Sequence, residues 1–132
     1  MLGTPYERGH SEVIVSRDAP DTAIGAGYVC IESGKTIAKF AGTGTPAGVS
    51  GYTKQKSIAL IKAGLKVRAI TDLTSATAGA PVYATAAGLV TTVEGSNTAI
   101  NATVSFADSK LANVGEEADG TKYLMIDFVG GF

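Results

Sequence analysis

From residue 24 onward, apolar and polar residues alternate along much of the chain, and glycine interrupts the alternation at short intervals. This period of two, with many β-branched residues, is typical of strands that bury one face. Residues 28–32 and 35–40 flank one short glycine turn, and residues 80–85 and 89–93 flank another. Each pair predicts a β-hairpin. The pattern therefore predicts an all-β fold, either a small β-barrel or a β-sandwich.

Four further strands are predicted, at residues 47–52, 65–70, 100–106 and 122–129. Residues 54–64 are open to two interpretations. Ile58, Ile61 and the stop signal at Gly64 suit a short helix. We interpret the segment as a strand, because its neighbours are strands, and we expect little helix anywhere in the chain.

The order of these elements repeats at an offset of roughly 54 to 58 residues. Three pairs of segments align: Gly34 with Gly88, residues 47–49 with 102–104, and residues 65–70 with 123–128. The alignment predicts two similar halves, about 23–72 and 77–129. The alternative is that the similarity of the two halves arises by chance, because glycine turns and valine-rich strands align easily.

Residues 1–22 are predicted to be an extended N-terminal arm, and residues 23–132 the β-domain. The arm has a polar stretch at 6–10 and a turn cluster around Pro20, and residues 12–16 could form one short strand. The first residues lack the basic start and apolar run of a signal peptide, and no apolar stretch approaches the roughly 20 residues of a membrane helix. We therefore expect a soluble chain made in a cytosol.

Composition narrows the possible functions. Hydrophobic residues make up 45% of the 132 residues and charged residues 17%, and the formal net charge is −1. The chain is too apolar for a disordered protein, and a balanced charge argues against binding to nucleic acid or to an anionic membrane. One cysteine and one histidine allow neither an internal disulfide nor a soft-metal cluster. No cofactor and no metal are expected.

No catalytic arrangement is evident among the reactive side chains. His10 lies in the arm, which is a poor scaffold for a general base, and Cys30 lies mid-strand like a buried apolar residue. Glu116, Glu117 and Asp119 lack the alternating spacing of a calcium loop. We therefore expect no enzyme. An enzyme would need two carboxylates facing each other across a cleft.

Five basic residues follow or accompany Tyr52, namely Lys54, Lys56, Lys62, Lys66 and Arg68. One tyrosine is a poor stacking platform for single-stranded nucleic acid. Two interpretations of these basic residues are left: they form a positive face that meets an acidic protein surface, or they form an ordinary solvated face.

The second half resembles the capsid decoration, or cement, proteins of tailed bacteriophages. The resemblance rests on TAGAPVY at 77–83, the turn at 86–88 and the strands at 89–93 and 100–104, with Asn101 where that family usually has glycine. The first half has a parallel set of segments, so the similarity extends over about 22–129. The resemblance implies a structural virion protein that binds the outside of a matured capsid and clamps neighbouring major capsid subunits. It also implies a homo-oligomer, with a trimer favoured, on the capsid exterior of a virion assembled in a host cytoplasm.

Within that interpretation the arm is the expected contact with the capsid, and its candidate residues are Tyr6, Arg8, His10, Val13, Ile14 and Val15. An extended segment can pair with an exposed sheet edge, and Tyr and Arg are common at interfaces. The alternative function is a carbohydrate- or receptor-binding β-module of a phage tail or fibre. Such a module would expose a cluster of aromatic side chains, whereas four tyrosines are predicted to lie mid-strand, namely Tyr28, Tyr52, Tyr83 and Tyr123.

Overall fold

The computed structural model describes residue 2 and residues 12–106 and 113–132, and within these residues it contains no helix. The strands are β1 Val13–Asp18, β2 Val29–Ser33, β3 Thr36–Lys39, β4 Gly48–Lys54, β5 Ser57–Ala63, β6 Val67–Ile70, β7 Pro81–Ala84, β8 Val90–Thr91, β9 Thr98–Val104, β10 Val114–Glu116 and β11 Lys122–Asp127. The all-β prediction is confirmed, and the ambiguous segment at 54–64 is the strand β5. No described helix is long and apolar enough to cross a membrane.

The first five strands form a closed barrel in the order β1-β3-β2-β4-β5. β1 is antiparallel to β5 and meets β3 in parallel through the single pair Asp18 and Thr36. The barrel interior is a cluster of buried apolar side chains from β2, β3 and β5, and Val15 of β1 packs against it. Because every second residue of a strand faces the same side, the alternating pattern of the sequence fills this interior.

The remaining strands form a second sheet that repeats the strand order of the barrel. β8, β7, β9 and β11 are hydrogen-bonded in that order, β6 is antiparallel to β11, and β10 pairs with β11 beside β9. A parallel bridge between Thr71 and Val90 connects the end of β6 to β8. β6, β7, β8, β9 and β11 therefore correspond to β1, β2, β3, β4 and β5, and β10 has no counterpart in the barrel.

The backbone hydrogen bonds show the same correspondence. The Gly27 N–H donates to the Ser50 carbonyl and the Gly79 N–H to the Val104 carbonyl, each at 2.8 Å. Each acceptor residue returns a hydrogen bond to the residue that follows the glycine. The two structural copies thus run from 13 to 63 and from 67 to 127. Residues 65–70 correspond to β1, not to 123–128 as the sequence alignment suggested.

Each copy has one row of side chains that faces outward across three neighbouring strands. In the barrel this row is Val29, Val49 and Ile61, and all three are buried because the second sheet covers them. In the second sheet the corresponding row is Pro81, Thr103 and Asp127, of which the first two are exposed and the third is half-buried. The apolar row of the first copy lies in the core shared by the two sheets. In the polar row of the second copy, Pro81 and Thr103 face solvent, and Asp127 accepts hydrogen bonds from the Lys66 N–H and the Ser105 hydroxyl.

The structure changes the description of the predicted arm. Residues 13–18 are not an extended arm, since they form β1 and pair along their length with β5. Leu2 also lies against the body of the protein, because a Cβ placed on Gly27 would be 3.2 Å from the Leu2 Cβ. Residues 3–11 lie outside the described residues. Burial of the apolar side of β1 inside the barrel explains why this strand belongs to the fold.

Candidate docking surface

Strand β1 carries exposed apolar side chains. Val13 is 47% exposed and Ile14 is 39% exposed. A register shift between these two residues interrupts the alternation of faces, and both side chains reach the surface. Val15, the third candidate contact on this strand, is partly buried and packs against the cluster of the barrel interior. The other candidate contacts, Tyr6, Arg8 and His10, lie outside the described residues.

Val13 forms one wall of a cleft of about 440 Å³, which we call the C-terminal cleft. Val129 and the residues up to Phe132 form the facing wall, and Ala63 of β5 also lines it. Val129 is 51% exposed. The C-terminal wall is held in place by the Phe128 and Phe132 rings, whose centroids are 4.5 Å apart. Two exposed valines that are distant in sequence thus lie at one concave site.

One end of the C-terminal cleft is polar. Glu32 of β2 accepts a hydrogen bond from Arg17 Nε of β1 at 2.9 Å and a second one from Lys62 Nζ of β5. The Lys62 ammonium and the Arg17 guanidinium hold the pKa of the Glu32 carboxyl below its usual value. Its side chain is 23% exposed. This carboxylate links three barrel strands and stabilises β1 where its pairing with β3 is limited to one residue pair.

A second concavity, of about 560 Å³, is lined by later residues of β1 and by the β4–β5 hairpin. We call it the hairpin groove, since Ile14, Ala59, Tyr52 and Lys54 line it beside the β4–β5 turn. A register shift between Ser50 and Thr53 interrupts the pairing of β4 with β5 at this point, and Tyr52 is 49% exposed. Residues 52–57 are all exposed and include two lysines and no acidic residue. The groove therefore has an apolar floor and a basic rim.

The five basic residues near Tyr52 in sequence do not form one face. Lys54 and Lys56 lie at the exposed β4–β5 turn, whereas Lys62 is paired with Glu32. The Arg68 guanidinium lies over the Tyr123 ring, 5.6 Å from its centroid. Of the five, Lys54 lines the hairpin groove, and Lys56 lies in the same exposed turn beside it.

The predicted acidic turn is the tip of the β10–β11 hairpin. Glu116 and Asp119 are exposed there, and the Asp119 carboxylate accepts the Thr121 N–H at 2.9 Å. Backbone and side-chain hydrogen bonds from Thr121 lower the pKa of Asp119. Within residues 12–106 and 113–132 no group of three His, Cys, Asp or Glu side chains could hold a metal ion. We call residues 116–120 the acidic turn.

The lone cysteine lies inside the barrel. Cys30 is fully buried, and its thiol donates to the Tyr28 carbonyl at 3.4 Å. Burial raises the pKa of this thiol to about 11. A thiol with so high a pKa is a poor nucleophile at neutral pH. Tyr28 itself is half-buried, with Lys39 Nζ 4.4 Å from its ring centroid.

Opposite charges predominate in the two copies. Residues 1–63 contain seven of the 11 lysines and arginines and five of the 12 acidic residues, and residues 64–132 contain four and seven. The barrel is thus net basic and the second sheet net acidic, although the whole chain is nearly neutral. The hairpin groove belongs to the basic copy and the acidic turn to the acidic one.

The sequence suggests Val13 and Ile14 as contacts, a role that stays a prediction, but it does not suggest the C-terminal residues that line the cleft with Val13. The sequence pattern places Val129 at the end of a closing strand and gives Phe132 no role, although the glycines at 130 and 131 between them indicate a turn. The same pattern predicts Tyr52 to lie mid-strand, and it does lie within β4, where its ring is exposed beside a register shift. Comparisons with protein-family models, curated proteins and solved structures give no match for this chain.

Proposed function

We propose that this protein is a capsid decoration protein, which binds the outer surface of a matured phage shell and clamps neighbouring major capsid subunits. The observation that carries the proposal is the C-terminal cleft, where Val13 and Val129 are each about half exposed on facing walls. Exposed apolar side chains grouped at one concave site are typical of surfaces that bind another protein.

The site is tied to the body of the protein by strand pairing, a charged hydrogen bond and a ring contact, which favours a docking role. β1 pairs with β5 over its whole length, and Glu32 joins it to the rest of the barrel through Arg17. The facing wall is held by contact between the rings of Phe128 and Phe132, which are tilted by 33° to each other. A surface that is ordered in the free protein loses little conformational entropy when it binds.

Stabilisation of the shell would follow from mass action. A protein that binds the assembled lattice and not its dissociated subunits shifts the equilibrium toward the lattice. Each contact can be weak, because a shell offers the same site many times and the stabilising effects add. The polar end of the cleft, with Lys62 and Glu32, would give the contact its orientation.

The experiment that tests the proposal counts this protein in particles. Phage particles from the culture that produces the protein are separated on a density gradient, and peptide mass spectrometry measures its ratio to the major shell protein. We expect a fixed ratio near one copy per shell subunit. A few copies per particle would contradict decoration and support the tail or fibre module, and absence from particles would contradict both.

Substitutions then test the cleft itself. We expect V13S together with V129S to lower the number of copies on the shell, because both walls lose apolar surface. V93S is the matched control, since Val93 is 59% exposed but lies in the β8–β9 loop and does not line the cleft. Equal binding by the double variant and the control would rule out the C-terminal cleft as the contact.

The arm residues need a separate variant. We expect Y6A/R8A/H10A to weaken shell binding while leaving β1 intact. Deletion of residues 1–16 is not a clean test, since it removes Val13 and the next three residues of β1 and opens the barrel. Unchanged binding by the triple variant would remove the arm from the contact and leave the cleft as the proposed site.

A further inference from the structure

The hairpin groove is a docking surface of a different character from the C-terminal cleft. Its floor is apolar, with Ile14 and Ala59, and Tyr52 stands at its side. Its rim carries Lys54, and Lys56 follows in the same exposed turn. A partner for this groove should be a protruding turn with small side chains and carboxylates. The lysine at the rim favours acidic groups on the partner.

The acidic turn on the other copy of the same chain has these properties. Glu116, Ala118, Asp119 and Gly120 are exposed at the tip of the β10–β11 hairpin. A Cβ placed on Gly120 would meet no atom within 4 Å, so the tip stands clear of the rest of the molecule. The side chains at the tip are small or acidic, and β11 behind it pairs with β6, β9 and β10.

We propose that the acidic turn of one molecule docks in the hairpin groove of a second molecule. The occupant is a second copy of this chain, since the excess of basic residues in the barrel and of acidic residues in the second sheet makes these two parts of the molecule electrostatically complementary. The contact is heterologous, because it joins two different surfaces. Such contacts produce a ring when the rotation closes and a chain of molecules when it does not.

This contact is independent of the proposed function. Val13 and Val129 line the C-terminal cleft, whereas Ile14 and Tyr52 line the hairpin groove. A molecule can therefore use one surface for another copy and the other for a shell. Failure of shell binding would leave the contact between copies untouched, and the reverse also holds.

The test is a charge exchange measured by sedimentation velocity on the purified chain. The groove variant is K54E/K56E, and the turn variant is E116K/A118K/D119N, whose new amide keeps an oxygen that can accept the Thr121 N–H. K35E is the control, since Lys35 is an exposed lysine of the barrel in the β2–β3 turn. Circular dichroism and thermal unfolding verify that each variant is folded, and E116K alone replaces the turn variant if that one is not.

We expect the wild-type chain to self-associate at low salt and to dissociate at about 0.5 M salt, where surface charges are screened. Each charge variant alone should lose association by about tenfold or more, and an equimolar mixture of the two should regain it, because each reversed surface then meets a reversed partner. K35E should behave as wild type. A wild type that is monomeric at low salt, a groove variant that associates normally, or a mixture that stays monomeric would each overturn the proposal.

Discussion

Substitutions of Ile61 and Ile14 test how much the core shared by the two copies contributes to the free energy of unfolding. The two isoleucines are direct partners in the β1–β5 register, yet Ile61 is 1% exposed in the shared core and Ile14 is 39% exposed on the surface. The substitution to alanine removes the same atoms from both residues. A difference between the two variants in the loss of unfolding free energy is therefore due to the different burial of the two side chains, and not to the atoms removed.

The magnitude for Ile61→Ala follows from the buried atoms. Three methyl or methylene groups are lost at about 0.8 kcal/mol each, which gives about 2.4 kcal/mol of transfer free energy. The cavity left between the barrel and the second sheet adds to this value, so a loss of about 2–5 kcal/mol is expected. For Ile14→Ala we expect a loss below about 1 kcal/mol, since this side chain is partly in water in the folded state.

Urea denaturation followed by circular dichroism measures both values. We expect one cooperative transition for the wild type, because the two sheets share a core, and a lower midpoint with an unchanged slope for Ile61→Ala. A loss below about 1 kcal/mol for Ile61→Ala, or equal losses for the two variants, would refute the shared core as the main link between the copies. Two separate transitions in the wild type would refute it as well.

Three further predictions concern single residues. Glu32→Gln should lower the free energy of unfolding at pH 7 and remove part of its pH dependence. Because the pKa of Glu32 is lowered in the folded state, the stabilisation is present above the unfolded-state pKa and is lost as the pH falls through the folded-state pKa. Thermal melts between about pH 7 and pH 2 measure both effects, and an unchanged pH profile would contradict the role of the pairing with Lys62. Gly88→Ala should destabilise more than Gly34→Ala in urea titrations, because both residues have positive φ but only at Gly88 would a Cβ meet a neighbouring side chain, 2.6 Å away; equal losses would contradict this. Cys30 should resist alkylation at pH 8 in the folded protein and react after unfolding, because burial raises the pKa of its thiol to about 11; rapid labelling of the native protein would show that the barrel opens.

The hairpins were predictable because their signals are local. The turn glycines at 34 and 88 and the alternating residues on either side define β2–β3 and β7–β8 within about ten residues each. Segment 54–64 was ambiguous by its own pattern, and its neighbours correctly favoured a strand. Local signals of this kind determine which segments are strands and which face is apolar.

The pairing of distant strands was not predictable from such signals. Residues 65–70 and 123–128 look alike as alternating apolar strands, but β6 pairs with β11 and occupies the place that β1 has in the barrel. The polar flanks of β1 suggested an arm, although its inward residue Val15 adds to the barrel core. Register and partner depend on the packing of the whole molecule, which one strand does not encode.

The candidate site was predictable only in part for the same reason. Apolar residues within a polar N-terminal segment suggested Val13 and Ile14 as contacts; both side chains are exposed, and their contact role stays a prediction. Their opposite wall at Val129 lies more than one hundred residues away in the chain, and the Glu32 cluster joins Arg17 and Lys62 from three different strands. Concavities and charge clusters of this kind arise from the fold, and sequence spacing does not reveal them.

The row of Pro81, Thr103 and Asp127 has a consequence for how this architecture can grow. A gene duplication that copied the first unit unchanged would have placed an apolar row on the outer side of the second unit, where a third unit could stack and then a fourth. The polar row acts as a terminating cap, as end repeats do in solenoid proteins. Replacing these three residues by Val, Val and Ile, the residues of the first copy, is therefore the natural starting point for an engineered tandem array of this fold.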